Sequence, residues 1–171
     1  PRGVVRDAAV LSAVARGGRG GGAGRPDNGA VDYAFLPCIP NLTLVALADE
    51  DECRQMLTTG PALPGPSAAG YPRGSGPGAS VSKPLQGLPV GKGEIRRHGR
   101  KVALLAFGSM LAPALEAGEI LDATVANMRF VKPLDAELVK ELAASHDLIV
   151  TVEEHALLGG AGSAVCEALA S

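Results

Sequence analysis

Three runs of uninterrupted apolar residues mark the second half of the chain, each followed by a stretch with helical spacing. They are Lys101-Val102-Ala103-Leu104-Leu105-Ala106-Phe107, Ala123 to Met128, and Leu148-Ile149-Val150-Thr151-Val152. A strand wetted on one side alternates apolar with polar residues, whereas a strand apolar on both sides must be covered on both. The helical stretches supply that cover. Residues 111–121 place Leu111, Ala114, Leu115, Gly118 and Leu121 on one face, and Pro113 is tolerated because it falls in the first turn. Asp135 caps a helix that uses Leu138, Val139, Leu142 and Ala143, and a last helix runs from about Gly160 to Ala170. Three β–α units of this kind predict an α/β fold with a largely parallel sheet and helices on both faces.

Upstream the pattern is broken by Gly and Pro, which number 23 and 13. Seven Gly and Pro26 fall within 17–29, which reads as a loop or a segment without regular structure. Fifteen Gly or Pro fall within 60–91, which reads as a linker between two units. Between the clusters, Leu42-Thr43-Leu44-Val45-Ala46-Leu47 predicts a buried strand. Asp49 with Glu52 three positions on is a variant of the capping box, and it opens a helix through Cys53, Met56 and Leu57 that Gly60 ends.

At 171 residues the chain suits one large domain or two small ones, with enough length to bury a core. A formal net charge of −2 argues against a nucleic-acid partner, which calls for a basic stripe. No stretch approaches the roughly 18 apolar residues of a membrane span. Asp7 and Arg6 break the apolar positions of 1–15, so no signal peptide is read there. Cys38, Cys53 and Cys166 are widely spaced, which reads as three small apolar residues in a reducing compartment.

Four segments carry candidate chemistry. Gly159-Gly160-Ala161-Gly162-Ser163 joins a strand to a helix, where free N–H groups can meet an anion, or where small residues simply make a tight turn. Glu153-Glu154-His155 lies at a strand's carboxyl end, a common ligand position in open α/β sheets, and reads as an acid/base group or a surface turn. In Tyr71-Pro72-Arg73-Gly74 the Pro and Gly fix the backbone around a guanidinium suited to bidentate phosphate binding, with a solvated loop as the other reading. The basic run Arg96-Arg97-His98-Gly99-Arg100-Lys101 reads as a solvated hairpin turn.

These segments occur together in one order. Phe35-Leu36 through Ile39-Pro40-Asn41, Asp49 to Leu57, Gly65-Pro66-Ser67 with Tyr71-Pro72-Arg73-Gly74, and Pro89-Val90-Gly91-Lys92-Gly93 come first. Phe107-Gly108-Ser109, then Met128-Arg129-Phe130-Val131-Lys132-Pro133-Leu134-Asp135, then Val152-Glu153-Glu154-His155 with Gly159 to Ser163 follow. The chain resembles the 1-deoxy-D-xylulose-5-phosphate synthase family of the transketolase-like thiamine diphosphate enzymes, strongly over 35–171 and weakly over 4–34. The run from Met128 to Asp135 marks this family within the transketolase-like enzymes.

The resemblance implies a transferase that condenses pyruvate with D-glyceraldehyde 3-phosphate, releasing carbon dioxide, with thiamine diphosphate and magnesium as cofactors. It supplies a precursor of isoprenoids, thiamine and pyridoxal. In fold terms it implies the end of a pyrimidine-binding domain at 1–60 (degenerate over 1–34), a linker at 61–97, and a truncated three-layer α/β C-terminal domain at 98–171. Arg73 matches the family arginine that binds the aldehyde substrate's phosphate, and Arg16 falls where the family has a second substrate arginine. Around Arg16 the wording departs: Ala23 stands for the Asp of a Gly-Ala-Asp-Gly loop, Pro26-Asp27 for a Thr-His pair, and Gly70 for an Arg before Tyr71.

No catalytic, cofactor-binding or metal-binding residue of the family maps onto this chain. The fragment alone is therefore expected to be inactive and to lack cofactor, its partners being the N-terminal cofactor-binding domains and, in the complete enzyme, a second copy in a homodimer. The resemblance implies a bacterial cytoplasmic location, or a plastid in a photosynthetic eukaryote. The other readings are the β subunit of a 2-oxo-acid dehydrogenase, a transketolase, or a non-catalytic interaction module of the same fold.

Overall fold

The three apolar runs form the parallel strands expected of them, joined through helices. A computed structural model describes residues 11–16, 32–72, 75–81 and 84–171, with 11–16 and Pro72 described by backbone alone. In chain order the elements are β1 (Leu11–Arg16), α1 (Asp32–Phe35), β2 (Thr43–Ala46), α2 (Glu50–Ala62), β3 (Ser67–Pro72), β4 (Glu94–Arg97) and β5 (Val102–Ala106). They continue with α3 (Leu111–Leu121), β6 (Thr124–Asn127), β7 (Phe130–Lys132), α4 (Ala136–Ser145), β8 (Leu148–Val152) and α5 (Ala161–Ala170).

One sheet has the order β4-β6-β5-β8. Its β5 is parallel to β6, with Ala103 opposite Thr124, and to β8, with Ala103 opposite Ile149. Because successive side chains leave a strand on opposite faces, Leu104 and Ala106 pack with Leu111 and Ala114 of α3. Ala103, Leu105 and Phe107 pack on the other face with Val139 and Leu142 of α4 and Ala161 and Val165 of α5. That is the three-layer α/β arrangement the continuous apolar pattern required. Leu121, expected on the apolar face of α3, is 57 % exposed, because Asp122 takes a left-handed backbone (φ 49°) and ends the helix there.

The basic run is not a hairpin. β4 and β5 are separated by β6, to which β4 pairs antiparallel. Arg97 donates to Asp122 at 3.1 Å and to the Ala123 carbonyl at 2.6 Å, and Arg100 donates to Asp122 at 2.8 Å. Those two guanidinium groups hold the Asp122 carboxyl below the usual carboxylate range. The cysteines depart from the apolar reading as well, since Cys38 and Cys166 are exposed free thiols.

The other sheet, β1-β3-β2-β7, departs further from expectation. Its inner strand β3 runs parallel to both β1 and β2 and lies within the segment read as a linker. Ser-Ala-Ala-Gly-Tyr-Pro carries no apolar signature of its own, so two ladders of neighbours make it a strand. The remainder of 61–97 also contributes the end of α2 and all of β4. Gly60 does not end α2; the helix continues to Ala62, and Leu63 turns extended before Pro64. At the other end the cap forms as read: Asp49 accepts from the Glu52 N–H at 2.9 Å, and Glu52 reaches back to the Ala48 N–H at 3.0 Å.

β3 carries a close approach that fixes one residue. A Cβ on Gly70 would lie 2.7 Å from the Tyr33 hydroxyl oxygen and 3.3 Å from its ring, and Tyr33 is buried at 1 % exposure. Gly70→Ala is therefore expected to destabilise the chain by about 1–3 kcal/mol through overpacking. Tyr33→Phe in the same background should recover part of the loss, because the nearest clash is the hydroxyl. Urea unfolding of the four-member cycle measures this, and a loss unchanged by Tyr33→Phe would exclude the contact as its cause.

The halves are joined where β7 leaves the second half of the chain to pair antiparallel with β2. Met128 to Asp135 acts there as a series of ties. Arg129, in a left-handed backbone (φ 56°), donates to Glu52 at 2.7 Å and also to Glu94. Asn127 donates to the same Glu52 oxygen at 2.7 Å. Lys132 donates to the Pro37 and Ile39 carbonyls, both at 2.8 Å. Asp135 caps α4 through the Leu138 N–H at 3.2 Å and accepts from the Gly93 N–H at 3.0 Å.

Candidate functional site

The carboxyl ends of β1 and β3 lie side by side. Their parallel register places Arg16, the last residue of β1, opposite Pro72, the last residue of β3 and the one that precedes Arg73 in the sequence. Arg73 and Gly74 lie outside the described residues, as do the Gly-rich run 17–29 and Ala23, Pro26 and Asp27 within it. Tyr71, ahead of Arg73, is half-buried.

The chain returns from this edge along α2. Glu50 accepts from the N–H groups of Gly78 and Ala79 at 2.9 and 3.0 Å. Further along, Gln55 accepts from the Gln86 N–H at 2.6 Å, and Thr59 from the Leu88 N–H at 2.7 Å. Residues 75–81 and 84–89 pair with no strand, and side chains of the helix accept from the backbone N–H groups of Gly78, Ala79, Gln86 and Leu88 instead. Sequence reasoning missed this track, because a helix rich in acceptors looks the same whether water or a strand of chain lies against it.

The backbone N–H groups of Glu50 itself, then Ala79 and Gly78, hold the Glu50 carboxyl below its ordinary value of 4.5. A carboxyl whose folded value is depressed stabilises the fold above its unfolded value and loses that contribution as pH falls through the folded value. Protection of the Gly78 and Ala79 amides from hydrogen exchange, corrected for intrinsic rate, should therefore hold near pH 6 and fall below pH 4.5. Glu50→Gln should remove the pH step, and a step that persists would assign it to another group.

The other two candidate segments form a junction. Glu153 accepts from the Ala161 N–H at 2.9 Å and the Gly162 N–H at 2.8 Å, so the chain's own carboxylate takes the anion position at the start of α5. Ser163 accepts from the Gly159 N–H at 3.0 Å and closes the turn. His155 is neither a solvated turn residue nor an open acid/base group. Its ring stacks on Tyr33 with centroids 4.6 Å apart, and its Nε2 accepts the Tyr33 N–H at 2.8 Å. The loop after β8 thus docks on α1, and Ser109 donates to Glu154 at 2.6 Å beside it.

Among the described residues no group of three or more His, Cys, Asp or Glu side chains is placed to hold a metal ion. With the α5 N–H groups occupied by Glu153, the described residues do not fit a diphosphate–magnesium group. Among them no helix is long and apolar enough to cross a membrane.

Residues 91–171 match the family model of the transketolase C-terminal domain. A 1-deoxy-D-xylulose-5-phosphate synthase of Methylobacillus flagellatus is 61 % identical over 160 residues, covering 94 % of this chain and 26 % of the relative. The synthase of the same name from Nitrosomonas europaea is 57 % identical over 167 residues, covering 98 % of this chain and 27 % of the relative. The chain thus spans about a quarter of the length of these relatives. Among solved structures, a split-gene transketolase described as an inactive β4 tetramer superposes with a TM-score of 0.77 at 34 % identity, covering 84 % of this chain and 49 % of that one. The transketolase of Campylobacter jejuni, at a TM-score of 0.51 and 16 % identity over 82 % of this chain and 28 % of that one, shares the fold.

Proposed function

We propose, for a chain that belongs to the 1-deoxy-D-xylulose-5-phosphate synthase family, that it provides the aldehyde-phosphate grip and the C-terminal domain of such a synthase. The reaction is the condensation of pyruvate with D-glyceraldehyde 3-phosphate with loss of carbon dioxide. The observation that supports the reading is the β1–β3 register, in which Arg16 lies opposite Pro72, the residue before Arg73 in the sequence.

The chain's own part in the chemistry is binding and orientation. A planar guanidinium at Arg73 gives two parallel N–H donors to a phosphate monoester, and a second cation at Arg16 neutralises its other charge. Holding the phosphate fixes the distance and direction of the aldehyde carbonyl three carbons' length away, which lowers the entropic cost of reaction. Thiamine diphosphate and magnesium would be held by parts of the relatives that this chain does not span. The homodimer and cytoplasmic location implied by the family belong to that complete enzyme.

The similar split-gene transketolase, named as an inactive β4 tetramer, supports the expectation that the 171-residue chain is inactive alone. Calorimetry of the chain with thiamine diphosphate and magnesium is expected to give no binding heat. A micromolar dissociation constant would place a cofactor site within this chain and overturn the division of labour.

A further inference from the structure

We infer that the cavity between the β4–β5 turn and the end of α4 is a binding site for a phosphate group, carried as the free ion or on a small monoester. The cavity measures about 360 Å³ and lies at the amino ends of β5 and β6, the opposite end of that sheet from Glu153-Glu154-His155. That volume falls within the usual range for small-molecule sites. His98, Arg100 and Lys101 line it from the turn, and His146 lines it from the end of α4. Glu141 is the one carboxylate among the lining residues. Two cations and two imidazoles thus face one acid, and a bound dianion removes the repulsion between cations gathered on one wall.

The turn is held in place by its own backbone, so the groups it carries are ordered before any ligand arrives. The Gly99 N–H donates to Thr124 Oγ1 at 3.0 Å, and the Arg100 N–H to the Asp122 carbonyl at 2.6 Å. A Cβ on Gly99 would lie 2.2 Å from the Ala123 carbonyl carbon, so the turn presses directly on the start of β6. The Lys101 carbonyl accepts from the Asp147 and Leu148 N–H groups at 2.7 and 3.1 Å. Lys101 itself has a left-handed backbone (φ 64°), which residues with long side chains rarely adopt. Asp122 takes Arg100 at Nε, so that bond leaves the two terminal guanidinium nitrogens to other acceptors. Across the cavity both ring nitrogens of His146 are engaged, Nε2 lying 2.7 Å from Thr124 Oγ1 and Nδ1 3.0 Å from the Leu142 carbonyl oxygen. The turn and the end of α4 thus present their groups from fixed positions, as charge-assisted recognition of phosphate oxygens requires.

The test titrates inorganic phosphate into the full 171-residue chain at constant ionic strength, following backbone amide shifts, and repeats the titration with glycerol 2-phosphate. Saturable shifts are expected at 98–101, 124 and 141–146. Lys101→Gln and Arg100→Gln should each weaken binding about three- to tenfold. Lys140→Gln, which removes a cation of α4 outside the cavity, should leave it unchanged. Lys101→Gly suits the left-handed backbone, so it should weaken binding as Lys101→Gln does without lowering the unfolding midpoint, which separates lost charge from a disturbed turn. Tighter binding of the monoester than of the free ion would assign the cavity to an organic phosphate, and the reverse order to the free ion. Absence of saturable shifts at these residues, or equal weakening by Lys140→Gln, would mean general screening and overturn the inference. Saturable binding that both Lys101 variants leave unchanged would overturn it as well.

Discussion

Arg129→Ala is expected to lower the unfolding free energy by about 3–5 kcal/mol, the cost of leaving a buried charge without its partner. The Glu52 side chain is 5 % exposed and that of Arg129 14 %, so water does little to replace the lost guanidinium. Glu52 would keep the Asn127 amide and the Ala48 N–H, which satisfy hydrogen bonds but not charge. Glu52→Gln in the Arg129→Ala background should therefore recover most of the loss, since the buried group is then neutral. Urea denaturation of the two single variants and the pair decides it. A loss below about 1 kcal/mol, the level of an exposed pair, would mean that the tie between α2 and β7 is not electrostatic.

The second large effect concerns Arg73. In a fusion of this chain to the cofactor-binding parts of a relative, Arg73→Ala should raise the apparent KM for D-glyceraldehyde 3-phosphate ten- to a hundredfold. That corresponds to the roughly 1.5–3 kcal/mol of a charge-assisted contact. The effect should fall on the phosphate-bearing substrate, with the KM for pyruvate unchanged, because pyruvate has no phosphate for the guanidinium to hold. Equal changes for both substrates would indicate a disturbed fold, and no change would return Arg73 to a solvated loop.

What was legible in the sequence was whatever rests on short-range signals. The apolar runs around Leu104, Val125 and Val150 declared strands covered on both faces, and Asp49 and Asp135 declared helix starts, because a cap needs only its next three residues. The family wording likewise pointed to Arg16 and Arg73; Arg16 ends β1 opposite Pro72, and Arg73 lies outside the described residues.

The misses share one cause, which is distance along the chain. β3 is a strand through its neighbours β1 and β2, so Ser67 to Pro72 looked like more linker. β4 finds β6 across 26 or more residues, and a basic run beside a strand therefore looked like half of a hairpin. Gly159 to Ser163 read either as an anion site or as a tight turn, and nothing local says that Glu153, eight residues before Ala161, folds back onto the helix start. His155 looked solvent-facing because its partner, Tyr33, is 122 residues away.

The most direct test of the central claim is complementation. The 171-residue chain would replace the matching quarter of the Methylobacillus flagellatus synthase, and carbon dioxide release from pyruvate would be followed with and without D-glyceraldehyde 3-phosphate. The account predicts turnover that requires both substrates and falls sharply with Arg73→Ala. A soluble, folded hybrid that binds thiamine diphosphate yet turns over no aldehyde phosphate, while the relative's own segment does, would contradict it.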